Sequence, residues 1–441
     1  MRARITSTEP FLSGDLQPPP DKSISHRGLL LALLAEGTSR LDNLSSALDV
    51  AATGSMVELF GASLETKGSV TLVESPGSAG LREPDGVLNL GNSGTGVRLG
   101  IGVATLVQGV SVFTGDDSLR RRPMGRVISP LKELGASIWG RGGDGMLPVA
   151  VRGGGLRSGV VHLRVASAQL KSALLFAALG VDGPVSVVEP TLSRPHTEEL
   201  FTLTGVGFDE DLDEQGGSHR VTVSGPAQPS PFNFRIPGDP SAAAFFVVAA
   251  SCIPGAVLTV KDLYLGPTRA GFIEILAQMG ADLVLGDSHV AVKGAPLEGT
   301  EIGGRIIPSL IDEIPILSVA AAMADGVTTI RDASELRVKE TDRIETTAGF
   351  LRAFGVEVMT LPDGLVIHGG LRPGSLREDR RRVMANLDHR IAMSAAVLGL
   401  LAGGVTEIDG VETVATSYPA FFSDLDRLSS ATVHLDGAAK P

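Results

Sequence analysis

Cysteine is almost missing from this chain: Cys252 is the single thiol in 441 residues. That excludes a disulfide framework and a multi-thiolate metal site, and it suits a reducing compartment. Aromatic residues make up only 4%, so Ala, Leu and Val must fill the core. Cations are outnumbered, 38 Lys and Arg against 50 Asp and Glu, for a formal charge of −12. This balance argues against non-specific nucleic-acid binding, and any anion site has to be built by local clustering of Lys and Arg. No apolar run reaches the roughly 20 residues of a membrane span without a polar interruption. The opening segment 1–13 has no apolar stretch of the secretory kind. The expectation is a soluble cytoplasmic protein with no nucleic-acid and no membrane partner.

What the chain does have is a pattern that occurs six times. A short polar head is followed by an Ala/Leu-rich run of helix length, a turn, and a β-branched strand. The heads are Asp21-Lys22-Ser23, Asn92-Ser93-Gly94, Ser167-Ala168-Gln169, Gly238-Asp239-Pro240-Ser241, Asp312-Glu313 and Asp388-His389-Arg390. Their period of about 70–77 residues is too long for a solenoid unit and fits a small βαβ-containing subdomain. The runs predict helices over 23–36, 95–108, 170–179, 242–251, 316–324 and 391–401. In the first, Ser23 or Ser25 is the expected cap and Gly37 the terminator. These runs are apolar nearly all round, so they belong inside a domain. A second, amphipathic helix follows each strand, over 56–61, 127–135, 198–205, 271–280, 346–355 and 421–428. All but the last end in Gly, and 55 glycines and 26 prolines supply such tight connections.

The fold class that follows is α/β, with six βαβαββ repeats divided three and three between two similar domains. A chain of this length exceeds what one core usually serves. Residues 20–239 would form one domain and 240–441 the other. A strand over 3–12 would pair back into the second, making two crossings with a cleft between the domains.

Helix N-termini attract anions, because their first amides are unpaired and the helix dipole favours negative charge there. Basic residues gather near these heads: Lys22, Arg27, Arg98, Arg120, Arg121, Arg122, Lys171, Arg194, Lys339, Arg343 and Arg390. Arg120, Arg121 and Lys171 read as a solvated face. Lys22, Arg27, Arg122, Arg343 and Arg390 sit in Ser-, Asp- or Gly-bearing turns and suit phosphate or carboxylate groups. Two carboxylates accompany them, Asp312 and Glu340. A carboxyl among cations is normally held ionised, so a general acid there needs burial or a charged substrate. From charge pattern alone, two plainer readings stay open: the heads as mere helix caps, and the carboxylates as part of a salt-bridge lattice.

Read together, the heads resemble those of the 5-enolpyruvylshikimate-3-phosphate synthases, a family of enolpyruvyl transferases. The resemblance rests on Asp21-Lys22-Ser23-Ile24-Ser25-His26-Arg27, Gly91-Asn92-Ser93-Gly94-Thr95 with Arg98, Arg122-Pro123-Met124-Gly125, and Ser167-Ala168-Gln169-Leu170-Lys171-Ser172. It continues through Gly238-Asp239-Pro240-Ser241, Ile311-Asp312-Glu313, Leu336-Arg337-Val338-Lys339-Glu340-Thr341-Asp342-Arg343 and Asp388-His389-Arg390-Ile391-Ala392-Met393. These segments run through nearly the whole chain in the family's order. The resemblance implies the family's inside-out α/β architecture with buried parallel helices. It also implies transfer of the enolpyruvyl group of phosphoenolpyruvate to the 5-hydroxyl of shikimate 3-phosphate, with release of phosphate. By position, Lys22, Ser23, Arg27, Ser167, Ala168, Gln169, Arg194, Asp312 and Lys339 would hold shikimate 3-phosphate. Lys22, Gly94, Arg122, Gln169, Arg343 and Arg390 would hold phosphoenolpyruvate. Asn92, Thr95, Arg98 and His389 are further candidates. Asp312 would take the hydroxyl proton, and Glu340 with Lys22 would serve proton transfer at the methylene carbon. The resemblance calls for no metal or organic cofactor, and it implies a monomer.

The chain departs from the family pattern in places. Pro20 replaces a usual Gly, His196 after Arg194 replaces an aromatic, and Thr416 stands where one class carries a late Lys. With no methyl at Gly94, the pocket is expected to admit the inhibitor glyphosate in its extended form. The nearest rival, an enolpyruvyl transferase acting on UDP-N-acetylglucosamine, typically carries a Cys in the mobile loop corresponding to 115–126, and none stands there. A non-catalytic anion-binding protein would not need Asp312 and Glu340 beside its ligand.

Overall fold

A helix with no polar face has nowhere to lie but the interior, and the six apolar runs form such helices in the computed structural model, which describes residues 1–213, 217–266 and 268–437. They are Lys22–Leu34, Gly94–Ala104, Ala168–Ala178, Pro240–Cys252, Ile314–Met323 and His389–Ala402. In Pro240–Cys252 every residue is buried. Five of them are capped by a side chain of their head. Asp21 accepts from the Ile24 amide at 2.8 Å, Ser93 from Gly96 at 3.1 Å, and Ser167 from Leu170 at 3.5 Å. Asp239 accepts from Ser241 at 2.8 Å and Asp388 from Arg390 at 2.9 Å. The fifth has no side-chain cap and opens instead with Pro315 in its first turn, where a missing N–H costs nothing.

These caps correct the expected boundaries. The cap of the first helix is Asp21; Ser25 lies a turn inside, its hydroxyl bonded back to the Asp21 carbonyl at 2.8 Å. Ser93 caps the second, which opens at Gly94, one residue before the expected start. The first helix also stops early, because Ala35 is already extended (φ −87°, ψ 121°) and Glu36 opens the strand Glu36–Asp42. The second ends at Ala104.

Four of the six buried helices connect the one parallel pair of a four-stranded sheet, the connection that parallel strands require. Lys22–Leu34 and Pro240–Cys252 instead lead into Glu36–Asp42 and Val257–Val260, whose parallel partners are not joined to them through these helices. Gly159–His162 lies parallel to Gly183–Glu189, which pairs antiparallel with His219–Gly225, itself antiparallel to Phe208–Leu212. The other five sheets have the same order. Three strands come from distant parts of the sequence. Asn233–Arg235 pairs with Glu36–Asp42, Ser13–Leu16 pairs with Val257–Val260, and Arg2–Ser7 lies between Gly404–Asp409 and Thr432–Asp436. The N-terminal segment therefore forms two strands in two sheets, where one strand over 3–12 was expected.

The chain divides into two compact units, Pro20–Ile236 and Met1–Pro19 with Pro237–Pro441. The return crossing falls three residues before the expected 239/240. Gly238 and Asp239 already belong to the second unit, their amides bonded to the carbonyls of Asp262 (2.6 Å) and Pro19 (2.8 Å).

The cores differ in their means. In Pro20–Ile236 a Cβ on Gly102 would lie 2.2 Å from the Ala173 carbonyl oxygen, so two buried helices meet backbone to backbone. In the other unit the scarce aromatics are pooled: Phe245, Phe246 and Tyr418 surround Phe421 at centroid distances of 5.6–5.8 Å. Among the described residues no single helix is long and apolar enough to cross a membrane.

Candidate active site

In Pro20–Ile236 the first three heads converge. Arg27 is buried one turn inside the first helix. Its Nη1 donates to the Ser23 carbonyl (2.9 Å), its Nη2 to the Ala168 carbonyl (3.0 Å), and its Nε to the hydroxyls of Ser172 and Thr197 (3.1 Å each). The first head is thereby fixed to the third. Gln169 fixes the third to the second: its amide donates to Thr95 Oγ1 at 2.9 Å, and its carbonyl oxygen accepts from Arg98 Nη1 at 2.9 Å. Arg122 bonds Asn92, whose own amide donates to Asp116 at 2.7 Å. Gly94 sits between two guanidiniums, with a Cβ there falling 3.0 Å from Arg98 Nη1 and 3.1 Å from Arg122 Nη1. Lys22 Nζ lies 3.0 Å from Asp49.

Three helix N-termini, Lys22 and the guanidiniums of Arg27, Arg98 and Arg122 gather at these heads. His26 is buried among them: burial, and then the charges of Lys22 and Arg27, push its pKa well below the usual imidazole value.

In the other unit the fifth and sixth heads meet around Arg343, which is 1% exposed. Its Nε lies 2.8 Å from Asp388 Oδ2, its Nη2 2.6 Å from Glu340 Oε2, and its Nη1 3.3 Å from Asp312 Oδ1. Burial opposes the charge, but Asp388 and Glu340 outweigh it and raise the pKa above the ordinary arginine value. Lys339 Nζ reaches the same Asp312 oxygen at 3.0 Å. Arg390 donates to the Asp312 carbonyl at 2.6 Å and to Glu313 Oε1 at 3.2 Å. Asp388 thus orders two arginines at once, accepting from the Arg343 side chain and capping the helix that carries Arg390. The chain enters this head through Asn386 and Leu387, both at positive φ (52° and 62°), a conformation that costs non-glycine residues roughly 1–2 kcal/mol each. Thr416 Oγ1 stands 3.5 Å from His389 Nδ1.

Several expectations need adjustment. Arg120 and Arg121 are exposed as read, but Lys171 is fully buried, not on a solvated face. Its helix is apolar on all sides, so its ammonium turns inward to Glu189 and Glu198. The fourth head is bound up structurally, with Arg269 bonding Asp239 at 2.7 Å and Ser241 at 3.0 Å. Asp49, Ser172, Thr197, Glu313 and Asp388 were not picked out as site residues. For Asp388 the signal was present, since it opens a head and precedes Arg390; for Asp49 and Thr197 no sequence pattern marks them. Cys252 is buried in an apolar helix, and burial pushes its thiol up to about 12, far from a reactive thiolate. Among the described residues no group of three or more His, Cys, Asp or Glu is arranged to hold a metal ion.

The same architecture occurs in solved structures. The enolpyruvyl transferase NikO of Streptomyces tendae shares the fold at a TM-score of 0.78 and 19% identity, over 98% of each chain. EPSP synthase of Acinetobacter baumannii matches at a TM-score of 0.84 and 35% identity, over 98% of this chain and 100% of that one. The fold is thus that of the enolpyruvyl transferases, six four-stranded sheets with the helices inside. Among curated proteins, the 3-phosphoshikimate 1-carboxyvinyltransferase of Anaeromyxobacter is 47% identical over 427 residues, 95% of this chain and 96% of the relative. That of Carboxydothermus hydrogenoformans is 44% identical over 436 residues, 97% and 99% respectively. The profile of EPSP synthase (3-phosphoshikimate 1-carboxyvinyltransferase) matches residues 7–425, and the chain belongs to that family. Its reaction is the EPSP synthase reaction of the shikimate pathway.

Proposed function

We propose that the two head clusters act on one pair of substrates, the first three heads gripping anionic groups and the fifth and sixth moving protons. Lys22, Ser23, Arg27, Ser167, Ala168, Gln169 and Arg194 hold shikimate 3-phosphate, together with Asp312 and Lys339. Lys22, Gln169, Arg122, Arg343 and Arg390 hold phosphoenolpyruvate, whose phosphate or carboxylate passes close to Gly94. Asn92, Thr95, Arg98 and His389 support these contacts. The observation that carries the reading is the sharing of Asp312 between Lys339 and Arg343, with Glu340 on the same guanidinium. Two carboxylates are thereby oriented about the same guanidinium.

The proton inventory closes on these groups. Glu340, with Lys22, delivers a proton to the methylene carbon, and C2 takes on oxocarbenium character. The 5-hydroxyl oxygen bonds to C2 while its proton passes to Asp312, giving a tetrahedral ketal phosphate. The C2–O bond to phosphate then breaks, the methyl group returns a proton to Glu340 as the enol ether forms, and the phosphate leaves with the hydroxyl proton that Asp312 took up. Positioning and charge stabilisation by the chain's own residues carry these steps. A monomer working in the cytoplasm on these small molecules fits the acidic surface and the lone buried thiol.

Phosphate release from phosphoenolpyruvate, measured with shikimate 3-phosphate and with UDP-N-acetylglucosamine as alternative acceptors, tests the reading. Release with shikimate 3-phosphate alone is expected. Release with only the nucleotide sugar would overturn it.

A further inference from the structure

Beneath the third head lies a set of buried ionisable groups that the proton inventory leaves unused. Lys171 Nζ is 2.8 Å from Glu189 Oε1 and 2.6 Å from Glu198 Oε1. The same Glu189 oxygen lies 2.8 Å from His219 Nδ1, and His219 Nε2 reaches Glu210 at 2.6 Å. The side chains of Lys171, Glu189, Glu198 and His219 are all at most 4% exposed. Burial alone would raise the Glu189 pKa, but His219, Lys171 and Ser193 bring it down to about 2. A well-packed apolar cluster of the same volume would often be as stable or more so, which leaves the ions to be explained by what they hold.

They hold the backbone of Ser193. Its amide donates to Glu189 Oε1 at 3.0 Å, and its carbonyl accepts from Lys171 Nζ at 3.4 Å. Arg194 is the next residue. Lys171 belongs to the helix whose first turn carries Ser167 and Gln169. Glu198 follows Thr197, whose hydroxyl accepts from Arg27 Nε at 3.1 Å. One ion cluster therefore ties together the third head, the Arg27 anchorage and the segment that presents Arg194.

We propose that Lys171 and Glu189 are positioning residues for shikimate 3-phosphate: by clamping both polar groups of Ser193 they fix where Arg194 stands relative to Ser167, Gln169 and Arg27. The inference rests on the reading that Arg194 touches shikimate 3-phosphate.

Lys171→Met and Glu189→Gln, each alone and each combined with Arg194→Ala, carry the test. Glu189→Gln keeps the volume, leaves an amide oxygen for Ser193 and leaves Lys171 paired with Glu198, so it preserves the fold if Lys171→Met does not. The expected result is a KM for shikimate 3-phosphate raised roughly tenfold in Lys171→Met and less in Glu189→Gln. In both, kcat and the KM for phosphoenolpyruvate should change less than about twofold, and Arg194→Ala should absorb the effect, the double variants binding no worse than Arg194→Ala alone. Equal losses for both substrates, or losses that add to that of Arg194→Ala, would mark the cluster as merely structural and overturn the inference. A weakened Arg194→Ala beside fully active Lys171 and Glu189 variants overturns it alone. An Arg194→Ala enzyme with unchanged affinity overturns the substrate reading and the inference with it.

Discussion

The two head clusters use the same parts to opposite ends. In Pro20–Ile236 the guanidiniums of Arg27, Arg98 and Arg122 are fixed by neutral oxygens, from hydroxyls, backbone carbonyls and the amides of Asn92 and Gln169. These contacts set the direction in which each guanidinium points. In the second unit Lys339, Arg343 and Arg390 face Asp312, Glu340, Asp388 and Glu313. There the cations are paired with carboxylates, which they orient besides making the substrate contacts proposed for them. On the proposed reading, the same repeat with different heads serves mainly as an anion receptor in one unit and as a proton-transfer cluster in the other.

The comparison can be broken in several places. Arg343→Met would leave Asp388 buried without its partner, a change that costs about 3–5 kcal/mol. Thermal unfolding should show that loss together with near-complete loss of turnover, and an enzyme of normal stability would show that the acidic cluster does not depend on Arg343. Arg27→Lys keeps the charge and loses the planar fork. With several charge-assisted bonds gone, calorimetry should show shikimate 3-phosphate bound roughly 10- to 100-fold more weakly, the fold remaining intact. Unchanged affinity would mean that charge alone, without directed donors, serves the receptor side.

Gly94→Ala places a methyl 3.0–3.1 Å from the Arg98 and Arg122 guanidiniums, tight enough to shift them by a few tenths of an ångström. Kinetics should show a KM for phosphoenolpyruvate raised by a few fold and glyphosate inhibition weakened by about tenfold. An unsubstituted enzyme already tolerant, and no less so than the variant, would contradict the account of that pocket. The smallest effect is on stability against pH. The Glu189 pKa is lowered from 4.5 to about 2 on folding, so its contribution is full above about pH 4.5 and is lost as pH falls toward 2. Glu189→Gln should flatten the melting temperature over that interval by on the order of 5 °C.

The repeat and its burial were legible because an apolar run without a polar face admits one placement, and the six runs announce six buried helices. The heads were legible for the same reason, since a polar cluster at the mouth of such a run must cap it or face a ligand. Lys171 was less legible: burial of its apolar helix turns its ammonium inward, but its partners Glu189 and Glu198 lie 18 and 27 residues away on two other elements. Asp49 and Thr197 stayed hidden because contacts to Lys22 and Arg27 across 27 and 170 residues leave no local pattern. The register of the first strands was hidden too, because Asn233–Arg235 completes a sheet begun almost 200 residues earlier.

The proposed division of labour between the units is tested most directly by Asp312→Asn, with shikimate 3-phosphate binding followed by calorimetry and turnover by phosphate release. Asn keeps the volume and a hydrogen-bonding oxygen while losing the capacity to take the 5-hydroxyl proton. Affinity should stay within about threefold while turnover falls by roughly 10²- to 10⁴-fold. Turnover that persists, or affinity that falls in step with it, would contradict the account.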